Sequence, residues 1–158
     1  MPQAQSHDQQ ITDFWNAVCQ CKHLGTLPQP ESWAFGNGEQ QADELAALVI
    51  AGQKTATTSA FFPGETTAAV DEYNIILDGR NQPVAVTQTV VSEIMPFTQV
   101  SAEHAYHEGE GDQTLTYWRR VHETFWKQEA AEENWSFSEA MLVSCEVFRL
   151  VATREELE

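Results

Sequence analysis

Apolar residues along the chain switch between helical spacing and strict alternation, so the pattern predicts helices and strands mixed without a regular βαβ rhythm. From about residue 9 to 23, Ile11, Phe14, Trp15 and Val18 fall on one helical stripe, which Gly25 ends. The stretch "TLPQPE" (26–31) reads as a linker, because its two prolines remove amide donors and fix φ. "SWAFG" (32–36) reads as a short docking strand. Leu45, Leu48 and Val49 mark a second helix, with Gly52 in the place of a C-terminal glycine. The β-branched "TATTS" (55–59) that follows predicts a strand. Tyr73, Ile75 and Leu77 alternate on the first of two strands that reverse around Asp78-Gly79 and Pro83. Ser101 is placed to cap a short helix over "AEHAYHE", and "GEGD" (109–112) is a glycine-spaced acidic loop. Asp112 is positioned to cap a further helix, in which Leu115, Trp118, His122, Phe125 and Trp126 share a face. Met141, Val143, Cys145 and Val147 alternate along the last strand. The sum is an α+β fold, a curled and mostly antiparallel sheet flanked by helices.

A length of 158 residues and a hydrophobic content of 42% fit one folded domain, assigned to 9–152, between a flexible tail (1–8) and an acidic tail (153–158). Glu155, Glu156 and Glu158 read as a frayed end. The formal net charge of −16 changes the picture of partners. It opposes long-range attraction to DNA, RNA or an anionic membrane and makes any local basic groove costly. Three cysteines cannot all pair within the chain, the polar start carries no secretory pattern, and no run approaches membrane-spanning length, so the expectation is a cytoplasmic protein with reduced thiols. No dinucleotide or phosphate fingerprint is present, and no cofactor is expected.

Two stretches carry candidate chemistry. Lys54 is one of three lysines, and it stands at the mouth of a strand on which Thr55, Thr57 and Ser59 share a face that Thr58 opposes. An amine beside a hydroxyl suits acyl transfer. The same lysine equally suits a helix C-terminus, where the dipole favours a cation. In "HAYHEGEGD", His104 and His107 share a helical face beside Glu108, but the third ligand of a zinc site is missing and no metal is expected. The glycines there allow close backbone approach, and Glu108, Glu110 or Asp112 supplies a carboxylate, or Asp112 simply caps the next helix. Trp33 is the aromatic residue that helical periodicity explains least.

Taken in order, Trp33-Ala-Phe35-Gly36, Ala42-Asp43-Glu44-Leu45-Ala46, Gly52-Gln53-Lys54-Thr55-Ala56-Thr57-Thr58, Glu108-Gly109-Glu110-Gly111-Asp112, Trp118-Arg119 and Cys145-Glu146-Val147-Phe148 resemble the ASCH domain over nearly all of residues 10–152. The resemblance implies a PUA-like β-barrel with helices around a cleft, and RNA-linked or coactivator functions. Some small bacterial relatives are amidohydrolases that remove the acetyl group of N4-acetylcytidine, using a lysine and threonine of a Gly-x-Lys-x-x-Thr motif and a later glutamate. Carried over, those catalytic roles fall on Lys54, Thr57 and Glu108, with Trp33, Thr55, Thr58, Ser59, Glu110 and Arg119 as ligand-binding residues. Another relative is a ribonuclease that uses the motif lysine. The implied partner is a small nucleoside-like ligand or single-stranded RNA; non-catalytic RNA binding and metal-independent RNA cleavage remain alternatives. Arg119 and Arg120 diverge by about 100° on a helix, so at most one joins Lys54. With so acidic a chain, the smaller uncharged ligand is favoured.

Overall fold

A computed structural model of the chain describes residues 6–158; residues 1–5 of the expected flexible tail lie outside them. Helix α1 (His7–Cys21) starts slightly before its apolar stripe because Ser6 accepts a hydrogen bond from the Gln9 amide at 3.2 Å. Strand β1 is Ser32–Ala34, helix α2 Glu39–Ile50, strand β2 Ala56–Ala60, and strand β3 Tyr73–Leu77. Strand β4 (Pro83–Pro96), helix α3 (Ala102–Glu108), helix α4 (Leu115–Glu133) and strand β5 (Leu142–Thr153) follow. The five strands form one sheet in the order β1-β3-β4-β5-β2. Only β1 runs parallel to its neighbour β3; the other pairings are antiparallel. The expected α+β architecture holds.

Alternation on β3 sends its side chains into two cores. Ile75 and Leu77 meet Ile11, Phe14, Trp15 and Val18 of α1, whereas Ile76 meets Leu45, Ala46 and Val49 of α2. The two helices therefore cover opposite faces of the sheet. A third core joins Val143 and Cys145 of β5 to Phe97, Val100, Ala105, Trp118 and Trp126. It fixes α3 and α4 over the far halves of β4 and β5, and this places the candidate site.

Three local expectations need correction. Thr114, not Asp112, caps α4 by accepting from the Tyr117 amide; Asp112 instead accepts from the Thr114 amide and hydroxyl. Phe125, assigned to the buried stripe, is 38% exposed, while Trp118 and Trp126 carry that core. The acidic end is held rather than frayed: Glu156 pairs with Lys22 at 2.7 Å, and Leu157 packs against the α1 core. Cys19 is buried and Cys21 exposed, as their two-residue spacing on α1 requires, and all three cysteines are free. Among the described residues no helix is long and apolar enough to cross a membrane.

Candidate functional site

Gly52, at φ +81°, turns the chain out of α2, and the Lys54 amide closes the helix end on the Leu48 carbonyl at 3.1 Å. From the other side, Ser101 caps α3 by accepting from the His104 amide, and α3 ends at Gly109 in the left-handed region. A Cβ at Gly109 would lie 2.5 Å from the Gln53 carbonyl oxygen, so only glycine lets the two chain segments meet this closely. Gln53 donates to the Gly109 carbonyl at 2.6 Å, and the Thr55 amide donates to the His107 carbonyl at 2.7 Å. These main-chain contacts deliver Glu108 to Lys54.

Both residues are 1% exposed. The Lys54 amine donates to the Ala56 carbonyl at 2.9 Å and to Glu110 at 3.0 Å, with the Glu108 carboxylate at 3.6 Å. The amine also stands over the Phe35 ring at 5.2 Å from its centroid. Its polar neighbours are all acceptors, which suits an ammonium donor. The Glu108 carboxylate takes hydrogen bonds from the Thr58 hydroxyl at 2.6 Å and the Trp118 indole at 2.5 Å. His104 Nε2 lies 3.1 Å and His122 Nε2 3.7 Å from it. Thr58 has one proton, and it goes to the carboxylate, so His104 Nε2 must carry the proton it shares with Thr58 at 2.8 Å. His122 Nδ1 donates to the Trp118 carbonyl at 2.9 Å by the same logic.

Burial would raise the Glu108 pKa, but the His104 hydrogen bond, the Lys54 and His122 charges and the Thr58 hydroxyl together hold it down at about 2. The Cys145 thiol, 3.9 Å from Thr58, is pushed up to about 11 by burial, against the pull of the Thr58 hydrogen bond. It is therefore a thiol at neutral pH and a poor nucleophile.

Thr57 is not in this cluster. Its Cα partner on β5 is Glu146, whereas that of Thr58 is Cys145, so the two threonines face opposite sides of β2. Thr57 and Ser59 line a separate cavity of about 350 Å³ with Trp33, Glu31, Glu72 and Glu146. Burial, then the neighbouring Glu72 charge, raises the Glu146 pKa. The structure thus brings Lys54, Glu108, Glu110 and Thr58 together, and puts Thr57, Ser59 and Trp33 in the adjoining cavity. Trp33 donates to Asn74 at 3.0 Å and meets Phe35 edge-on. Thr55 bonds through its main chain to His107 and to Phe148 of β5. Arg119 donates to the Thr98 and Val100 carbonyls and leaves Lys54 without a cationic neighbour from that helix. His107 is exposed and lies against Tyr106, away from the Glu108 carboxylate.

Sequence reasoning missed His122 and Trp118 as partners of Glu108, and Glu72 and Glu146 as walls of the cavity. The four-residue spacings of His104 with Glu108 and of Trp118 with His122 are the signals that pair them on their helices. Glu146 carries a signal too, standing one residue from an inward-facing cysteine on an alternating strand.

The family model of the ASCH domain matches residues 31–152. A protein of Enterococcus faecalis V583, assigned to a family of undescribed function, is similar at 35% identity with a TM-score of 0.82, over 94% of this chain and 93% of that one. An ASCH domain from Lactobacillus crispatus JV V101 shares the fold at 24% identity and a TM-score of 0.83, over 90% of this chain and 94% of its own. No curated protein matches the chain.

Proposed function

The chain belongs to the ASCH domain family, and from that premise we propose that it binds a small nucleoside-like ligand in the cavity over Thr57 and hydrolyses an amide of it, such as that of N4-acetylcytidine. The observation that carries this reading is the position of Thr57. Its hydroxyl lines an open cavity of nucleoside size, beside an aromatic wall at Trp33 and directly across the strand pair from Glu146.

In this reading the Thr57 hydroxyl attacks the amide carbonyl and Glu146 accepts its proton, then returns it to the departing amine. Water releases acetate from the threonyl ester. Lys54 acts on Thr57 through the backbone. Its ammonium donates to the carbonyl of the Ala56–Thr57 peptide, and the Lys54–Glu108 pair holds that peptide against α3. The role of Lys54 is then positioning, together with polarisation of one peptide group. The polymeric-RNA and ribonuclease readings are weaker, because the residues lining this cavity are neutral or acidic and repel phosphate.

Purified protein incubated with N4-acetylcytidine should release cytidine and acetate. Thr57→Ala should abolish turnover with the fold intact, and Lys54→Ala should lower both turnover and stability. No cytidine release between about pH 5 and 10, the range spanned by carboxylate and amine titration, rules out hydrolysis of this substrate. Turnover that survives Thr57→Ala rules out the nucleophile.

A further inference from the structure

The cavity over Thr57 offers a ligand few fixed hydrogen-bond donors. Its glutamate carboxylates accept, its serine and threonine hydroxyls turn to either role, and no lysine, arginine or histidine lines it. Among the lining side chains, the nitrogens that only donate are the Trp33 indole and the Asn74 amide. The indole N–H is spent on Asn74, to which it donates at 3.0 Å. That bond also decides how the Asn74 amide is turned. An indole N–H cannot accept, so the Asn74 atom facing it must be Oδ1. The two Nδ2 protons are left for other acceptors, and among the described residues no protein group takes either of them. An unrestrained asparagine amide can flip to present oxygen or nitrogen; this one is held as a donor.

Pockets for small molecules rely on a few placed polar groups to fix orientation and confer specificity. We propose that Asn74 is the specificity-determining residue of this cavity: its Nδ2 donates to a carbonyl oxygen or an unprotonated ring nitrogen on the edge of an uncharged base, and Trp33 is the latch that keeps the donor in place. This rests on the cavity being the ligand site, as proposed above, and is independent of hydrolysis at Thr57. It narrows the ligand to bases that bring an acceptor to β3. Cytosine and its N4-acylated form belong to that class, because their 2-oxo group and N3 both accept. A flat ring of similar size without an acceptor displaces solvent from Nδ2 and leaves it unpaired, which counts against binding.

The test is calorimetric titration of the full chain at neutral pH with cytidine and with the phenyl C-riboside, which keeps the sugar and a flat ring but has no acceptor on it. Cytidine should bind saturably, and the phenyl riboside about tenfold or more weaker. Asn74→Asp keeps an oxygen for the Trp33 indole but turns a second acceptor toward the ligand. It should lose about tenfold or more in cytidine affinity and leave that of the phenyl riboside nearly unchanged. A residue that merely seats Trp33 would tolerate this change. Trp33→Phe should also weaken cytidine binding, and by less in the Asn74→Asp chain than in the unaltered one, because a carboxylate has two like oxygens and no orientation to latch. Undiminished cytidine affinity in Asn74→Asp, equal binding of the phenyl riboside, or no cytidine binding overturns the proposal. Should Asn74→Asp fail to fold, the contrast between the two ligands on the unaltered chain decides alone. Turnover of N4-acetylcytidine is scored separately: its absence with Asn74-dependent cytidine binding removes the hydrolase reading only, and its presence with binding indifferent to Asn74 removes this inference only.

Discussion

Glu108 is the residue on which the local chemistry turns. Its carboxylate is surrounded by donors from β2, α3 and α4, with Lys54 at 3.6 Å completing the charge balance. Removing one member of a buried pair leaves the other uncompensated, which typically costs 3–5 kcal/mol. Glu110 remains beside Lys54, so Glu108→Gln should fall at the low end, about 3 kcal/mol; a denaturant melt measures it. The pH dependence has a definite sign. A carboxylate whose folded pKa of about 2 lies below its unfolded value of 4.5 contributes stability that is fully present above 4.5 and is lost as pH falls toward 2. The melting temperature should therefore drop across that window, and the drop should be shallower in Glu108→Gln. An identical acid limb in both proteins would show that other carboxylates govern it. The contacts of this residue were only partly legible beforehand. The motif paired Lys54 with Glu108, but single-strand alternation could not say whether Thr57 or Thr58 faces α3, because that depends on which side of the sheet the helix packs.

At the scale of elements, the site exists because two helix ends are pressed together. Gly109 is the point of contact, with a positive φ and the Gln53 carbonyl where a Cβ would sit. An unstrained glycine-to-alanine replacement stabilises by up to roughly 1 kcal/mol, but at this positive φ Gly109→Ala should destabilise by more than that amount, and it should loosen the Lys54–Glu108 pair. Backbone hydrogen exchange at Thr55, whose amide is bonded to His107, would report the loosening. By contrast Thr114→Ala removes a cap of α4 and should cost about 1 kcal/mol, with Asp112→Ala costing less, since its bonds reach α4 only through Thr114. Most elements were legible from periodicity alone, as with the α1 stripe of Ile11, Phe14, Trp15 and Val18. What failed was end chemistry and stripe width: Thr114 outcompetes Asp112 because it stands one residue before the helix, and Phe125 sits at the margin of a stripe that two tryptophans already fill.

For the whole molecule, the net charge of −16 sets the terms of encounter. Fluorescence anisotropy with a labelled single-stranded RNA should detect no salt-sensitive binding at micromolar protein, even at low ionic strength. A signal that weakens steeply with added salt would reinstate an RNA-binding surface outside the cavity. Charge and fold class could both be read from composition and pattern. The acidic cavity could not, because it is assembled from the linker before β1, the loop before β3, and the strands β2 and β5, which no local window brings together.

The two threonines on β2 are chemically alike yet serve opposite compartments, one bonded to Glu108 and one open to the cavity. What tells them apart is pairing with β5, anchored upstream by the bond from Lys54 to the Ala56 carbonyl. Excising a single residue between Lys54 and Thr57 would slide the strand by one position, bringing the Thr58 hydroxyl to the cavity and the Ser59 hydroxyl to the Glu108 side. Register here is a matter of identity rather than composition, and a substitution scan repeated in such a shortened chain would see the cavity sensitivity move from Thr57 to Thr58 and the Glu108-side sensitivity from Thr58 to Ser59.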